Sequence, residues 1–152
     1  MSTYHNVVVA VDLEDDCNEV VKKAMSLGLA IEDIALAHVF EPMPAPYASI
    51  IPYAPGLAAT DDLDAQVKAS QTAKLHAVAE KFGVPVGQCL LLEGFPAKEL
   101  KLYAAENDAD LIIIGSHGRH GLGLMLGSTA NGVLHGATCD VLAVRIGVNR
   151  AR

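Results

Sequence analysis

The segment Asn6–Asp12 reads NVVVAVD and decides the fold class, because every residue between its polar ends is apolar. A short run of this kind predicts a strand that is buried on both faces, as the strands of parallel sheets are. Similar runs follow at Ile34–Phe40, Gln88–Glu93, Asp110–Gly115 and Asp140–Ile146. The sequence therefore predicts five strands.

Longer amphipathic stretches separate these strands. Helices are expected to begin near Asp16, to run from Asp61 to about Phe82, and to begin at Pro96 and near Gly127. The helix after Asp61 is expected to bury one apolar stripe, made of Leu63, Val67, Leu75, Val78, Ala79 and Phe82. The alternation of strands and helices predicts a single α/β domain over residues 1–152, with a parallel sheet and helices on both faces.

One connection departs from this pattern. Residues 41–60 hold five of the seven prolines and show no helical periodicity. A connection of this length is either a functional flap or a solvent-covered loop. As a flap it would fold over a ligand near Val39, because it leaves the end of the second strand.

Composition excludes several classes of protein. Hydrophobic residues make up 51% of the 152 residues, and no apolar run approaches the roughly 18 residues of a membrane span. The formal charge of −7 argues against general nucleic-acid binding, which needs a field of Lys and Arg. The amino terminus lacks the basic segment of a signal peptide, and the three cysteines are far apart. We therefore expect a cytoplasmic protein without membrane or nucleic-acid partners, in which Cys89 and Cys139 are small core residues.

A glycine-rich stretch follows the fourth strand. Residues 115–131 read GSHGRHGLGLMLGSTAN, and five of the 13 glycines lie between Gly115 and Gly127. Glycine allows a backbone to approach a ligand closely, and the free N–H groups at a helix N-terminus favour phosphate oxygens. Arg119 and the neighbouring histidines add local positive charge. The stretch predicts an anion or nucleotide site, with a glycine-rich connector before a capped helix as the alternative.

These segments together resemble the universal stress protein family, specifically its small single-domain bacterial type. The resemblance covers nearly the whole chain through VAVD, HV, DLIIIGSHGRHG, LGSTANGVL and CDVLAVR. It implies a five-stranded parallel sheet of order 3-2-1-4-5, in a Rossmann-like fold similar to that of the adenine nucleotide α-hydrolases. It also implies a homodimer and, for one branch of the family, ATP binding through the motif G-x2-G-x9-G-[S/T].

Carried over to this chain, the resemblance implies a defined set of ligand-binding residues. Asp12 and the backbone around Val39 would hold the adenine end. The ribose and phosphates would meet Gly115, Gly118, Gly127, Ser128 and Thr129. The residues themselves add Ser116, His117 and Arg119 as candidates, because a hydroxyl group and local positive charge favour phosphate. Only eight residues, RHGLGLML, separate Gly118 from Gly127, whereas the family motif has nine.

Two functions remain open on these grounds. The first is a stress-response homodimer that binds ATP, ADP or AMP, with or without Mg²⁺, and acts by ligand-dependent regulation. The second is an interaction or scaffold protein of the same fold with a vestigial site. The sequence pairs no nucleophile with a base and places no carboxylate cluster near the phosphate loop, so at most slow ATP hydrolysis is expected.

Three further residues or segments carry expectations of their own. His117 and His120 are spaced HxxH, but with no carboxylate or cysteine beside them we expect no metal site. His38 is expected to be a hydrogen-bonded core histidine. The apolar strand 140–146 would lie at the edge of the sheet, where pairing with a second copy removes the exposed edge; cover by the carboxyl-terminal tail is the alternative.

Overall fold

Five parallel strands form one sheet in the structure, a computed structural model that describes residues 2–13, 17–42, 60–116 and 126–146. The strands are β1 Val7–Ala10, β2 Ile34–Phe40, β3 Cys89–Glu93, β4 Leu111–Gly115 and β5 Asp140–Val144. They pair in parallel in the order β3-β2-β1-β4-β5, which confirms the expected topology.

Four helices connect the strands. They are α1 Cys17–Ser26, α2 Thr60–Phe82, α3 Pro96–Glu106 and α4 Ser128–Leu134. Pro96 takes the first turn of α3, where the N–H that proline lacks would have no intrahelical acceptor. Gly83 ends α2 with a φ of 74°, a left-handed conformation that glycine adopts without steric cost. Asp16, where the first helix was expected to begin, lies outside the described residues.

The helices cover both faces of the sheet, as expected. Val7 and Val9 of β1 pack with α1 and α2, whereas Val8 and Ala10 pack with α3 and α4. The three valines have no exposed surface. Because a fully buried valine contributes about 1.5–3 kcal/mol, this short central strand anchors both layers of the core.

The expected apolar stripe of α2 is wrong over its first half. Leu63 and Val67 are 49% and 42% exposed, whereas Leu75 and Ala79 are buried. Lys68 contacts Phe40 and Glu93, the last residues of β2 and β3, so the helix before Lys68 extends beyond the sheet. Apolar residues in that half have no core to reach. The structure places Leu63 and Val67 at the surface for this reason.

The residues before β1 are hydrogen-bonded to the end of the sheet where β4 and β5 begin. The Asp110 carboxylate accepts hydrogen bonds from the backbone N–H groups of His5 at 2.7 Å and Asn6 at 3.1 Å. The Tyr4 hydroxyl donates to a carboxylate oxygen of Asp140 at 2.8 Å. These contacts join the start of the chain to β4 and β5.

Two sequence expectations concern segments that are only partly described. Of the proline-rich connection, residues 43–59 lie outside the described ranges, while Glu41 and Pro42 are exposed. Arg145 and Ile146 follow β5 without strand pairing, so this strand is two residues shorter than expected. Within the described helices, none combines the length and the apolar character that crossing a bilayer requires.

Candidate functional site

Three predicted site residues share one level at the carboxyl end of the sheet: Asp12, Val39 and Ser116. The register pairs Ala10 with Ala37 of β2 and with Ile114 of β4. Asp12, Val39 and Ser116 lie two residues after Ala10, Ala37 and Ile114, respectively. In open α/β sheets, ligands bind at this edge, where the connections leave the central strands in opposite directions. The structure therefore brings together the residues that sequence predicted from distant segments.

The ends of β1 and β2 are held together beyond their regular pairing. The N–H of Val11 donates to the carbonyl oxygen of Ala37 at 2.8 Å, and Nδ1 of His38 lies 2.8 Å from the carbonyl oxygen of Val11. His38 is half-buried, which confirms that it is a hydrogen-bonded core histidine. This contact fixes the backbone from which the exposed Asp12 extends.

The chain that leaves β4 returns to the same point. The N–H of Ser116 donates to the carbonyl oxygen of Val144 in β5 at 2.7 Å. The carbonyl oxygen of Ser116 accepts the N–H of Gly127 at 2.5 Å. Both ends of the intervening glycine-rich segment are thereby held beside the end of β4. We call this pair of backbone contacts, centred on Ser116, the Ser116 clamp.

The Ser116 side chain is a buried polar group without a described partner. The residue is 6% exposed, and its hydroxyl has no hydrogen-bond partner among the described residues. Buried hydroxyl groups normally make hydrogen bonds, because leaving one unsatisfied costs about 1–3 kcal/mol. The environment of Ser116 therefore fits a polar group supplied by a ligand.

Gly115 has a packing role at this edge. A Cβ at Gly115 would collide with Cδ1 of Ile146 and lie 3.5 Å from Cγ2 of Val20. The space beside Gly115 is thus filled by side chains of the residues after β5 and of α1. A larger residue there would force the Ile146 side chain to move, so Gly115 has a packing role whether or not a ligand also approaches its backbone.

The residues after the Ser116 clamp begin α4. Gly127 takes the N-cap position, and its carbonyl oxygen accepts the N–H of Asn131 at 2.9 Å. Ser128 is exposed and Thr129 half-buried, while Ala130 and Val133 anchor the helix in the core. The first N–H groups of a helix lack intrahelical partners, so α4 itself supplies no acceptor for those of Ser128 and Thr129. His117, Gly118 and Arg119 lie outside the described residues.

Sequence reasoning missed a groove beside this edge. The groove has a volume of about 630 Å³ and lies where β2 and β3 end. Its described lining consists of Phe40, Glu41, Pro42, Asp64, Val67, Gly94 and Phe95. The available signals were the acidic residues of the sequence from Asp61 to Asp64 and an aromatic residue directly after Gly94. Neither signal belongs to a known motif.

The cysteine and metal expectations concern other parts of the fold. Cys89 and Cys139 are half-buried free thiols that pack against the two core clusters, as expected, and burial raises the pKa of each thiol. Within the described ranges, no group of three or more His, Cys, Asp or Glu residues could hold a metal ion. His117 and His120 lie outside those ranges.

Known proteins resemble this chain in sequence. The profile of the universal stress protein family matches residues 3–145. Universal stress protein A homolog 2 of Coxiella burnetii is 38% identical over 149 residues, which cover 96% of this chain and 98% of the relative. Homolog 1 of the same organism is 32% identical over 143 residues, covering 93% and 96% of the two chains.

Solved structures share the fold. The hypothetical protein MJ0577 superposes with a TM-score of 0.74 at 20% identity, over 95% of this chain and 98% of its own. A universal stress protein in complex with cAMP superposes with a TM-score of 0.53 at 26% identity, over 93% and 96% of the two chains. The fold is that of a Rossmann-like α/β domain, and the Ser116 clamp lies at the carboxyl ends of its central strands. Its sequence places it more narrowly: this chain belongs to the universal stress protein family.

Proposed function

We propose that this chain binds an adenine nucleotide at the carboxyl ends of β1 and β4, and acts as a homodimer in the cytoplasmic stress response. The observation that carries the proposal is the buried Ser116 hydroxyl, which has no described hydrogen-bond partner at the point where the Ser116 clamp closes. The relative that is known in complex with cAMP supports an adenine nucleotide as the ligand.

The residues fit such a ligand in a specific arrangement. Asp12 and the backbone at Val39 would meet the adenine and ribose end. Ser116, Gly127, Ser128 and Thr129 would hold the phosphates, together with Gly115, His117, Gly118 and Arg119. Backbone N–H groups and an Arg supply positive charge, which a phosphate requires in a chain of net charge −7. The same proposal covers the nucleotide both with and without a bound Mg²⁺ ion.

Calorimetry on extensively dialysed protein tests the proposal. ATP, ADP, AMP and cAMP are titrated in turn, with GTP as the control for adenine recognition. We expect saturable binding of at least one adenine nucleotide and a matching rise in Tm, because a ligand that binds only the folded state stabilises it. Asp12→Asn should weaken this binding, whereas the matched Asp33→Asn, which precedes β2 at the opposite end of the sheet, should leave it unchanged.

The alternative function is an interaction or scaffold protein with a vestigial site. Two observations favour it: the spacer of eight residues, and the filling of the space beside Gly115 by Ile146. Absence of binding and an unchanged Tm with millimolar adenine nucleotide would favour the vestigial site. In either case we propose regulation rather than fast catalysis, with slow ATP hydrolysis as the upper limit.

The proposed dimer forms through residues 140–146. All of Val141–Val144 are half-buried apolar residues at an edge of the sheet, which is a surface that invites pairing with another chain. Because Val144 accepts from Ser116, the alternation of a parallel ladder directs the N–H of Ala143 away from β4. Ala143→Pro removes this outward donor, while Ala143→Ser keeps it.

Light scattering tests the dimer. We expect a mass twice the 15.9 kDa of one chain for the wild type and for Ala143→Ser, and a single-chain mass for Ala143→Pro. Proline is tolerated at an edge strand when its nitrogen faces outward, so the fold should survive, as far-ultraviolet circular dichroism would verify. A wild-type protein of single-chain mass at micromolar concentration would refute the dimer.

A further inference from the structure

The groove at the ends of β2 and β3 combines apolar walls with acidic edges. Phe95 is 75% exposed and Val67 42% exposed, while Phe40 is buried at its base. Two of its described lining residues carry carboxylates, Glu41 and Asp64. A volume of about 630 Å³ lies within the range of pockets that take small organic ligands.

Negative charge exceeds positive charge around this groove. Glu93 ends β3 directly before the lining residue Gly94, which adds a third carboxylate to Glu41 and Asp64. Among the described residues, Lys68 is the one cation that forms an ion pair here, with Glu93. Residues 43–59, which continue from Pro42, include no Lys, Arg or His, so this segment cannot neutralise the other two carboxylates.

Lys68 itself shows which chemistry this region accepts. Its ammonium lies 2.6 Å from Oε2 of Glu93 and 5.4 Å from the centroid of the Phe40 ring. A cation is attracted to the face of an aromatic ring, and a carboxylate alongside strengthens the attraction. The chain thus already holds one ammonium between a ring and a carboxylate. Phe95 and Asp64 also line the groove, so a second aromatic ring and a second carboxylate are present there.

We propose that this groove binds a small organic ammonium ion that carries an apolar body. The apolar part would contact Val67 and Phe95, and the ammonium would face Asp64 and Glu41. This site has a different lining from the proposed nucleotide site, because none of its described lining residues is among the residues proposed to hold the nucleotide. The inference does not depend on nucleotide binding, and either can fail without the other.

Nuclear magnetic resonance on the full chain tests the proposal with benzyltrimethylammonium as the probe. Benzyl alcohol is the neutral comparison and benzoate the anionic one. We expect saturable chemical-shift changes at Phe95, Val67 and Phe40 with the ammonium probe. The ammonium probe should bind most tightly, benzyl alcohol more weakly and benzoate most weakly. Equal binding of ammonium and alcohol would overturn the proposal, as would shifts confined to other regions.

Matched variants separate recognition of charge from general apolar binding. Asp64→Asn and Phe95→Leu should each weaken binding of the ammonium probe about two- to fivefold, the usual range for one exposed cation–π or charge contact. Asp108→Asn, an exposed acid elsewhere, should change nothing. Lys68→Met should tighten binding, because it releases Glu93 and the Phe40 ring for the added cation.

Two further results would refute the proposal. Unchanged or weaker binding to Lys68→Met would show that the groove does not select cations. Contacts between Phe95 and residues 43–59 in the free protein, with no displacement by the probe, would show that the chain itself fills the groove. Circular dichroism of each variant ensures that these results do not reflect unfolding.

Discussion

Gly132 of α4 lies against Ala97 of α3, so closely that a Cβ at Gly132 would be 2.7 Å from the Cβ of Ala97. Contacts this short between Cβ atoms do not occur, so the two helices can approach one another only where one residue is glycine. Both helices cover the same face of the sheet, and α4 follows directly from the Ser116 clamp. The spacing of α3 and α4 therefore positions the residues that begin α4.

We predict that Gly132→Ala destabilises the protein despite its better helix propensity. Alanine in a helix is favoured over glycine by up to about 1 kcal/mol, whereas forcing a methyl group into a packed contact costs about 1–3 kcal/mol. Urea unfolding should therefore give a net loss of stability. Ala97→Gly combined with Gly132→Ala restores the space and should recover most of the loss. A Gly132→Ala protein at least as stable as the wild type would contradict the prediction.

Gly94→Ala should be destabilising for two separable reasons. Gly94 has a φ of 137°, a conformation that residues with a Cβ rarely adopt, and a Cβ there would lie 2.7 Å from Oε1 of Glu99. The backbone strain costs about 1–3 kcal/mol, while the flexible Glu99 side chain can move away. The double variant with Glu99→Ala should therefore regain only a small part of the lost stability in urea. Full recovery would show that the clash, and not the backbone, is the cause.

We expect Ser116→Ala to raise the free energy of unfolding of the ligand-free protein by about 1 kcal/mol. Removing a buried hydroxyl that lacks a partner relieves part of its desolvation cost. Ser128→Ala is the matched control, because Ser128 is exposed and surface changes stay within about 0.5 kcal/mol. Thermal or urea unfolding measures both. A loss of stability in Ser116→Ala would mean that the hydroxyl bonds to the glycine-rich segment.

The Tyr4–Asp140 contact predicts a dependence on alkaline pH. The hydrogen bond to the Asp140 carboxylate raises the pKa of Tyr4 above its ordinary value of 10.0, since it favours the protonated phenol. A raised pKa adds stability that is present below the unfolded-state value and is lost as the pH rises through the folded-state value. The stability difference between wild type and Tyr4→Phe should be constant up to about pH 9 and should shrink above pH 10.

Urea unfolding of both proteins at several pH values from about 8 to about 11, an interval that brackets the ordinary phenol pKa of about 10, measures this difference. Asp140→Asn provides the control, because an amide lacks the negative charge that opposes ionisation of the phenol. In that background the folded-state pKa of Tyr4 is raised less, so the Tyr4→Phe difference should shrink by a smaller amount over the same pH range. A difference that stays constant through pH 11 in the wild-type background would rule out the proposed linkage.

The sheet was predictable because its strands are apolar on both faces. Val7–Ala10 and Leu111–Gly115 have few alternatives to a central position in a parallel sheet, and the chain order of strands and helices fixed the layers. The family resemblance supplied the strand order, which the pattern alone does not determine. His38 was also predictable, since a polar residue within a buried strand needs a hydrogen-bond partner.

Other features depended on contacts between distant segments. Leu63 and Val67 share a helical stripe with Leu75, but the stripe does not reveal where α2 passes the end of the sheet. The sequence predicts Gly115 as a ligand-binding glycine. The structure shows that Ile146, 31 positions later, fills the space beside it. The groove at Phe95 similarly needs α2 and the end of β3 in three dimensions. Local periodicity contains none of this information.

The Ser116 clamp has a consequence for how this protein can diversify. Since Gly127 donates a hydrogen bond to Ser116, the segment between them begins and ends at one point of the framework. Closure entropy changes only slowly with length, so a segment one residue shorter than the family motif is inexpensive. The residues between Ser116 and Gly127 can therefore change in sequence and length during evolution, and the ligand specificity can change with them, while the sheet and helices stay the same.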